Sequence, residues 1–326
     1  MKISKMKQLL VRLAVGLSLG ISGVSCLAAF PDKAVTIVVP YPAGGATDVV
    51  ARLLAEKLPG VWGQQVVVVN RPGAGTTVAA ESLARSAGDG YTLYMTTAAH
   101  TISASLYSKL NYDPIKDFAP ITLVSTIPLV LVTTPGLPVK NLKDLITYGK
   151  QHKDGLSMAS TGNGTPQHLA GELFKAKSGT PLVHVPYKGD PPMLTDLIGG
   201  QVQVAFVTLS AALPYILSGK LRAIALASDQ RAQAIGDVPT MTEAGMPGFT
   251  AATWFGLFGP ATMPAALVEK IYQDVSTVVA QPATTKRLLE MGGVINNSSP
   301  QAFKTVIDME VKNWSEAVKL SGARVD

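Results

Sequence analysis

A single cysteine, Cys26, occurs in the 326 residues. It falls in a stretch with the marks of a segment removed during export, so the mature chain is expected to have neither a disulfide nor thiol chemistry. Charge is scarce too, at 15% of residues. The net charge of +6 includes Lys2, Lys5, Lys7 and Arg12 in a stretch (1–29) without any acid. Beyond it stand 24 basic against 22 acidic residues, with no basic stripe interleaved with aromatics, which gives a nucleic-acid surface little support. No later run reaches the 18 apolar residues that a transmembrane helix needs. There is no G-x-S-x-G elbow, which removes the simplest hydrolase reading. No Walker A pattern occurs, since Gly149-Lys150 and Gly219-Lys220 continue into Gln151 and Leu221. Gly162-Asn163-Gly164 and Gly73-Ala74-Gly75 both fail as dinucleotide fingerprints, with Gln167 and Val78 where the third glycine belongs. No pair of acids suited to acid–base work adjoins the glycine turns.

What is present is a folded chain. Hydrophobic residues make up 47%, and the length allows two domains, each with its own core. The basic N-terminus runs into an apolar stretch, 13–29, broken by Ser18, Gly20, Ser22 and Gly23. That pattern predicts a secretory signal over 1–29, cleaved after Ala29, and therefore an exported protein. Gly23-Val24-Ser25-Cys26 makes lipid attachment at Cys26 the alternative, although the usual aliphatic residue three before the cysteine is missing.

After residue 30, strand and helix patterns alternate. Strands are predicted over 35–40, 65–70 and 91–96, with helices over 47–58 and 76–86 between them. This βαβαβ order implies a parallel sheet covered on both faces. An extended run over 118–134 follows, interrupted by Pro120 and Pro128. A second alternating set has helices over 142–152, 165–177, 192–198 and 210–218, and strands over 156–159, 181–186, 202–207 and 221–228. Another extended run, 252–259, precedes helices over 264–280, 283–291 and 300–320. The two extended runs read as crossings between two α/β lobes, 30–125 with 252–326 and 126–251, hinged for closure. A single large sheet is the alternative.

Two strand–turn–helix junctions carry the site. In the first, Val38-Val39-Pro40 runs into Tyr41-Pro42-Ala43-Gly44-Gly45-Ala46-Thr47-Asp48. In the second, Leu156-Ser157-Met158-Ala159 runs into Ser160-Thr161-Gly162-Asn163-Gly164-Thr165. Each leaves backbone N–H groups at a helix N-terminus, where the dipole favours negative charge. Asp48 falls in the first helical turn, suited either to capping or to ligand contact. His168 and Glu172 share a helix face, but spacing supplies no third metal ligand. Thr97-Ala98, Tyr187-Lys188 and Thr208 close other strands, and in open α/β sheets ligands bind beyond such strand ends.

Several linked motifs resemble the substrate-binding receptors of tripartite tricarboxylate transporters, the Bug-type periplasmic proteins. They are VVPYPAGGATDVVAR (38–52), VVNRPGAG (68–75), DGYTL (89–93), STGNGTPQHLAGE (160–172), VPYKG (185–189) and VPTMTEAG (238–245). The resemblance spans 30–322. It departs from the family pattern at Gly75-Thr76-Thr77-Val78 and at Gly88, outside the ligand-gripping turns. It implies a type II periplasmic binding fold and a receptor, not an enzyme, that closes on a carboxylate held by the two turns, partly through ordered water. Ligand contacts are then expected from Tyr41, Ala43, Gly44, Gly45, Ala46 and Asp48, from Thr97 and Ala98, from Ser160, Thr161, Gly162, Asn163, Thr165 and His168, and from Tyr187 and Thr208. No metal, cofactor or catalytic group is implied. The partners would be a small organic acid and the membrane subunits of the transporter, with the receptor itself a monomer. A ligand sensor for a signalling partner would use the same pocket, and an exported α/β hydrolase is the remaining alternative. A buried ammonium needs an acidic acceptor. The presumed distal loops, 97–101 and 206–210, contain no Asp or Glu, so a ligand without an amine is expected. They contain no Arg or Lys either, leaving a second carboxylate to neutral donors, Tyr187 or Lys188.

Overall fold

The computed structural model describes residues 30–321. The predicted signal segment and Cys26 lie outside the described residues.

The first half begins with β1 (Val35–Val39), whose β-branched run is almost wholly buried. Then come α1 (Ala46–Lys57), the short α2 (Pro59–Trp62), β2 (Val66–Asn70), α3 (Thr77–Ala84), β3 (Thr92–Thr96) and α4 (Ala99–Leu106). The long strand β4 (Phe118–Thr133) leads to α5 (Leu142–Gln151), β5 (Leu156–Ser160), α6 (Pro166–Ser178), β6 (Leu182–Pro186), α7 (Asp190–Ile198), β7 (Val204–Thr208), α8 (Leu209–Leu217) and β8 (Arg222–Leu226). The chain returns through β9 (Ala252–Pro260) and ends with α9 (Ala265–Val279), α10 (Pro282–Glu290), the two-residue β10 (Val294–Ile295) and α11 (Pro300–Ser321).

Hydrogen bonding runs without a break through the order β2-β1-β3-β9-β4-β7-β5-β6, with β8 and β10 also on β4. The sheet nevertheless divides at β4. Residues 118–128 pair antiparallel with β9, whereas 129–133 pair with β7. On either side the strands are parallel: β2-β1-β3 in one section, and β6-β5-β7 in the other. The result is two α/β lobes joined by β4 and β9, the type II periplasmic binding architecture.

Two elements differ from the sequence reading. Pro120 and Pro128 do not interrupt β4. Register shifts beside Pro120, between Pro120 and Thr122 and again between Leu123 and Ser125, absorb the missing donor. Residues 99–101, read as loop, open α4. Its Thr and Ser favour turns, but Ile102 and Leu106 are buried against Tyr94 and Phe258, and that packing overrides the weak local preference.

Candidate functional site

The first junction is built around Asp48, which is 2% exposed. Its carboxylate accepts from the Gly44 amide (2.9 Å), from Arg52 Nε (2.8 Å) and from Asn70 Nδ2 (2.9 Å). Asn70 also donates to the Tyr41 carbonyl at 2.9 Å. Burial pushes the Asp48 carboxyl up, but these donors outweigh it and hold the group below its ordinary range. Gly44, at φ +86°, makes the left-handed turn that lets its amide point back at Asp48. Asp48 therefore fixes the turn and does not face the space beyond it.

The second junction rests on two stacked imidazoles. The His168 and His184 rings lie 3.9 Å apart at 18°. His168 Nδ1 accepts from the Gly164 amide (3.2 Å), and His184 Nε2 is hydrogen-bonded to Ser160 Oγ (2.6 Å). Thr165 caps α6 by accepting from the His168 amide at 3.3 Å, with Pro166 at the first helical position. Burial drives His168 down to about 4; burial, then the neighbouring His168 and Lys175 charges, drives His184 to about 3. Both rings are therefore neutral at pH 7.

Between the junctions lies a narrow cavity with room for about one water, about 10 Å³. Tyr41, Ala46, Thr47, Thr97, Thr161, Gln167, Asp190, Thr208, Thr253 and Phe255 line it. Tyr41 Oη and Thr97 Oγ1 are hydrogen-bonded at 2.9 Å, and Gln167 Nε2 donates to Thr208 Oγ1 at 3.0 Å. Burial raises the Tyr41 phenol far above its ordinary range, so it stays protonated. A wider mouth of about 330 Å³ opens outward past Gly75, Tyr107, Gly162, Asn163 and Tyr187. A larger groove, about 790 Å³, lies behind the hinge along β4, β9 and α11. Its half-buried acid, Glu310, already takes both the Trp254 and Trp314 indoles, and neither helix junction reaches it.

Of the expected residues, Tyr41, Ala46, Thr97, Thr161 and Thr208 meet at the cavity, and Tyr41, Thr161, Gly162, Asn163 and Tyr187 at the mouth. Tyr187 Oη is engaged by Asp196 at 2.7 Å. Burial, then the Asp196 carboxylate, raises its phenol to about 12. Ala43, Gly44, Gly45, Asp48, Ala98, Ser160, Thr165 and His168 line neither space. Asp48, Ser160, Thr165 and His168 hold the turns in shape, Gly45 packs on Asp190, Ala98 is buried at the start of α4, and Ala43 and Gly44 face solvent.

Sequence reasoning missed Thr47, Gln167, Asp190, Thr253 and Phe255. Asp190 overturns the basis for expecting a ligand without an amine, because the acid comes from the start of α7 and not from 97–101 or 206–210. It is 8% exposed, and its Oδ2 accepts from the Ala46 amide at the N-terminus of α1, 3.1 Å away. Its Oδ1 has no hydrogen-bond partner, nor has Thr253 Oγ1. Burial raises the Asp190 carboxyl despite the Ala46 amide. Its sequence signal was adjacency to VPYKG; Thr253 and Phe255 sit in a strand with no local motif.

A sequence profile described as Tripartite tricarboxylate transporter family receptor matches residues 50–322. The chain belongs to that receptor family. Protein BugT of Bordetella pertussis is 34% identical over 91% of this chain and 91% of its own. A solved R. palustris protein with adipate is 34% identical, covering 91% of this receptor and 100% of the solved chain at a TM-score of 0.88. MatC from Rhodopseudomonas palustris, solved with malate, is 33% identical over 89% of the receptor and all of the solved chain, at 0.85. Among the described residues no helix is long and apolar enough to cross a membrane, and no three His, Cys, Asp or Glu groups gather to hold a metal.

Proposed function

We propose that this receptor binds a small organic acid between its lobes, outside the cytoplasmic membrane, and hands it to the membrane subunits of a tripartite transporter. The observation that carries the reading is the facing pair of junctions. The N-terminus of α1 and the turn before α6 approach one cavity lined by neutral hydroxyl and amide groups and the single acid Asp190, with no Lys, Arg or His on its wall. Helix N-termini and neutral donors suit an anion that must be released again. Adipate and malate, in the two solved relatives, are both small organic acids.

The lobes, 30–125 with 252–326 and 126–251, open to admit the ligand, because the closed space holds little more than a water. Residues 1–29 direct export and are removed, and the receptor works as a monomer. The site binds and does not transform its ligand: among the groups at the cavity no nucleophile stands beside a base.

A thermal-shift screen of organic acids, with sugars as controls, tests the reading. A ligand that binds only the folded state at a hundredfold its Kd adds about 2.7 kcal/mol of stability. A shift with one carboxylate class supports it. No shift with any acid, together with no ligand released on denaturing the purified protein, overturns it.

A further inference from the structure

The cavity holds one ionisable acid and nothing to balance it. Asp190 is buried at the lobe interface, and one of its oxygens, Oδ1, has no hydrogen-bond donor. The other takes only the Ala46 amide at 3.1 Å. Apart from Ala46 and Phe255, the remaining wall is neutral and polar, made of Tyr41, Gln167 and threonines that include Thr47 and Thr253, so no side-chain cation reaches the carboxyl. A buried carboxylate without a cation is costly, and its free oxygen is a site of unmet hydrogen bonding. Thr253 Oγ1, also without a partner, faces the same space.

We propose that Asp190 is a specificity-determining residue that receives the protonated amine of the ligand, so that this receptor selects an amino-bearing organic acid. This rests on the receptor reading above and narrows its ligand class. The ammonium supplies both the charge and the donors that Asp190 Oδ1 lacks. The ligand carboxylate is held on the opposite side, by the Thr161 turn at the start of α6. Adipate and malate carry no amine, so the proposal sets this receptor apart from the relatives solved with them. The competing role for Asp190 is that of a neutral acid, its proton kept by burial, donating to a second ligand carboxylate. The two roles predict opposite preferences.

Isothermal titration of the purified receptor with matched pairs separates them: glutamate and glutarate, aspartate and succinate, 2-aminoadipate and adipate, 6-aminohexanoate and hexanoate. At least one amino member is expected to bind about 30-fold more tightly than its partner, about 2 kcal/mol. Asp190→Asn keeps the shape and removes the charge, and is expected to erase most of that preference while leaving Tm nearly unchanged. Tighter binding of a member without an amine, or a preference that survives Asp190→Asn, overturns the proposal and leaves the receptor reading standing. If no acid of either kind binds, both fall. The wild-type comparison alone decides the ligand class, so the proposal stays open to refutation even if Asp190→Asn does not fold.

Discussion

Asp48 shows how a residue next to a site can matter without touching it. Its carboxylate ties together Gly44, Arg52 and Asn70, and through Asn70 the Tyr41 carbonyl. Replacing it with alanine removes the acceptor that these three donors share, although the exposed Gly44 amide and half-exposed Arg52 can turn to water and Asn70 keeps the Tyr41 carbonyl. The expected cost is roughly 1–2 kcal/mol in urea unfolding, from the lost hydrogen bonds to a charged acceptor. The carboxyl is held below its ordinary pKa, so it stabilises the fold above the unfolded-state pKa, near 3.8, and that contribution is lost as pH falls through the lower folded value. Asp48→Ala should therefore narrow its stability gap from wild type below pH 4. A gap that stays constant to pH 2 would rule out the ionised network. The sequence offered Asp48 two roles, cap or ligand contact, and could not choose. The choice depends on Asn70, 22 positions away at the end of β2. Asp190 was out of reach for a similar reason: its partner, Ala46, lies 144 positions away in the other lobe.

At the scale of elements, most of the fold was legible because it follows from periodicity. The strands and helices of both parallel sections were predicted close to their observed bounds, since runs such as Val35–Val39 are buried on both faces and need no distant partner to identify them. Where the prediction stopped short, as at α4, a weak helix former is held by packing against β3 and β9 that no local window contains. The turn before α6 shows the same dependence, since it leans on His184 from β6. His168 and His184 titrate below the unfolded value of 6.5, so their contribution is present above pH 6.5 and is lost as pH falls toward 4. His100 behaves likewise. It lies 4.4 Å from the Phe118 ring, and burial lowers it to about 4, with the Pro114 carbonyl offsetting a little of that shift. Its share alone is about 3 kcal/mol between pH 6.5 and 4. His100→Phe is expected to fill the aromatic cluster and flatten the acid limb of a stability-against-pH curve measured by urea unfolding. An acid limb as steep as that of wild type would show that His100 does not drive it. Packing between elements is testable at Gly171, on the face of α6 that meets β5. A Cβ there would lie 1.7 Å from Met158 Sδ, so Gly171→Ala should cost about 1–3 kcal/mol, tempered by the flexibility of methionine.

For the whole molecule the question is what sets the balance between open and closed lobes. The closed arrangement brings backbone from one lobe against the other where side chains are absent. Gly45 is the informative position. Its φ of −77° and ψ of 168° suit any residue, so a substitution there adds no backbone strain. An added Cβ would stand 3.0 Å from Asp190 Oδ2, tight enough that this side chain must give by a few tenths of an ångström. Gly45 is also the N-cap of α1, and threonine caps about as well as glycine. Gly45→Thr should therefore leave unfolding free energy within about 1 kcal/mol of wild type while crowding the Asp190 side chain where α7 meets the start of α1. A receptor that binds only when closed loses affinity in proportion to the closed fraction, so a tenfold drop in that fraction raises Kd tenfold. Small-angle scattering should report a larger radius of gyration for Gly45→Thr than for wild type in saturating ligand, and titration a weaker Kd with unchanged stoichiometry. Equal dimensions and equal affinity would mean that the lobes do not need the Gly45–Asp190 contact to close, and that β4 and β9 alone fix their separation.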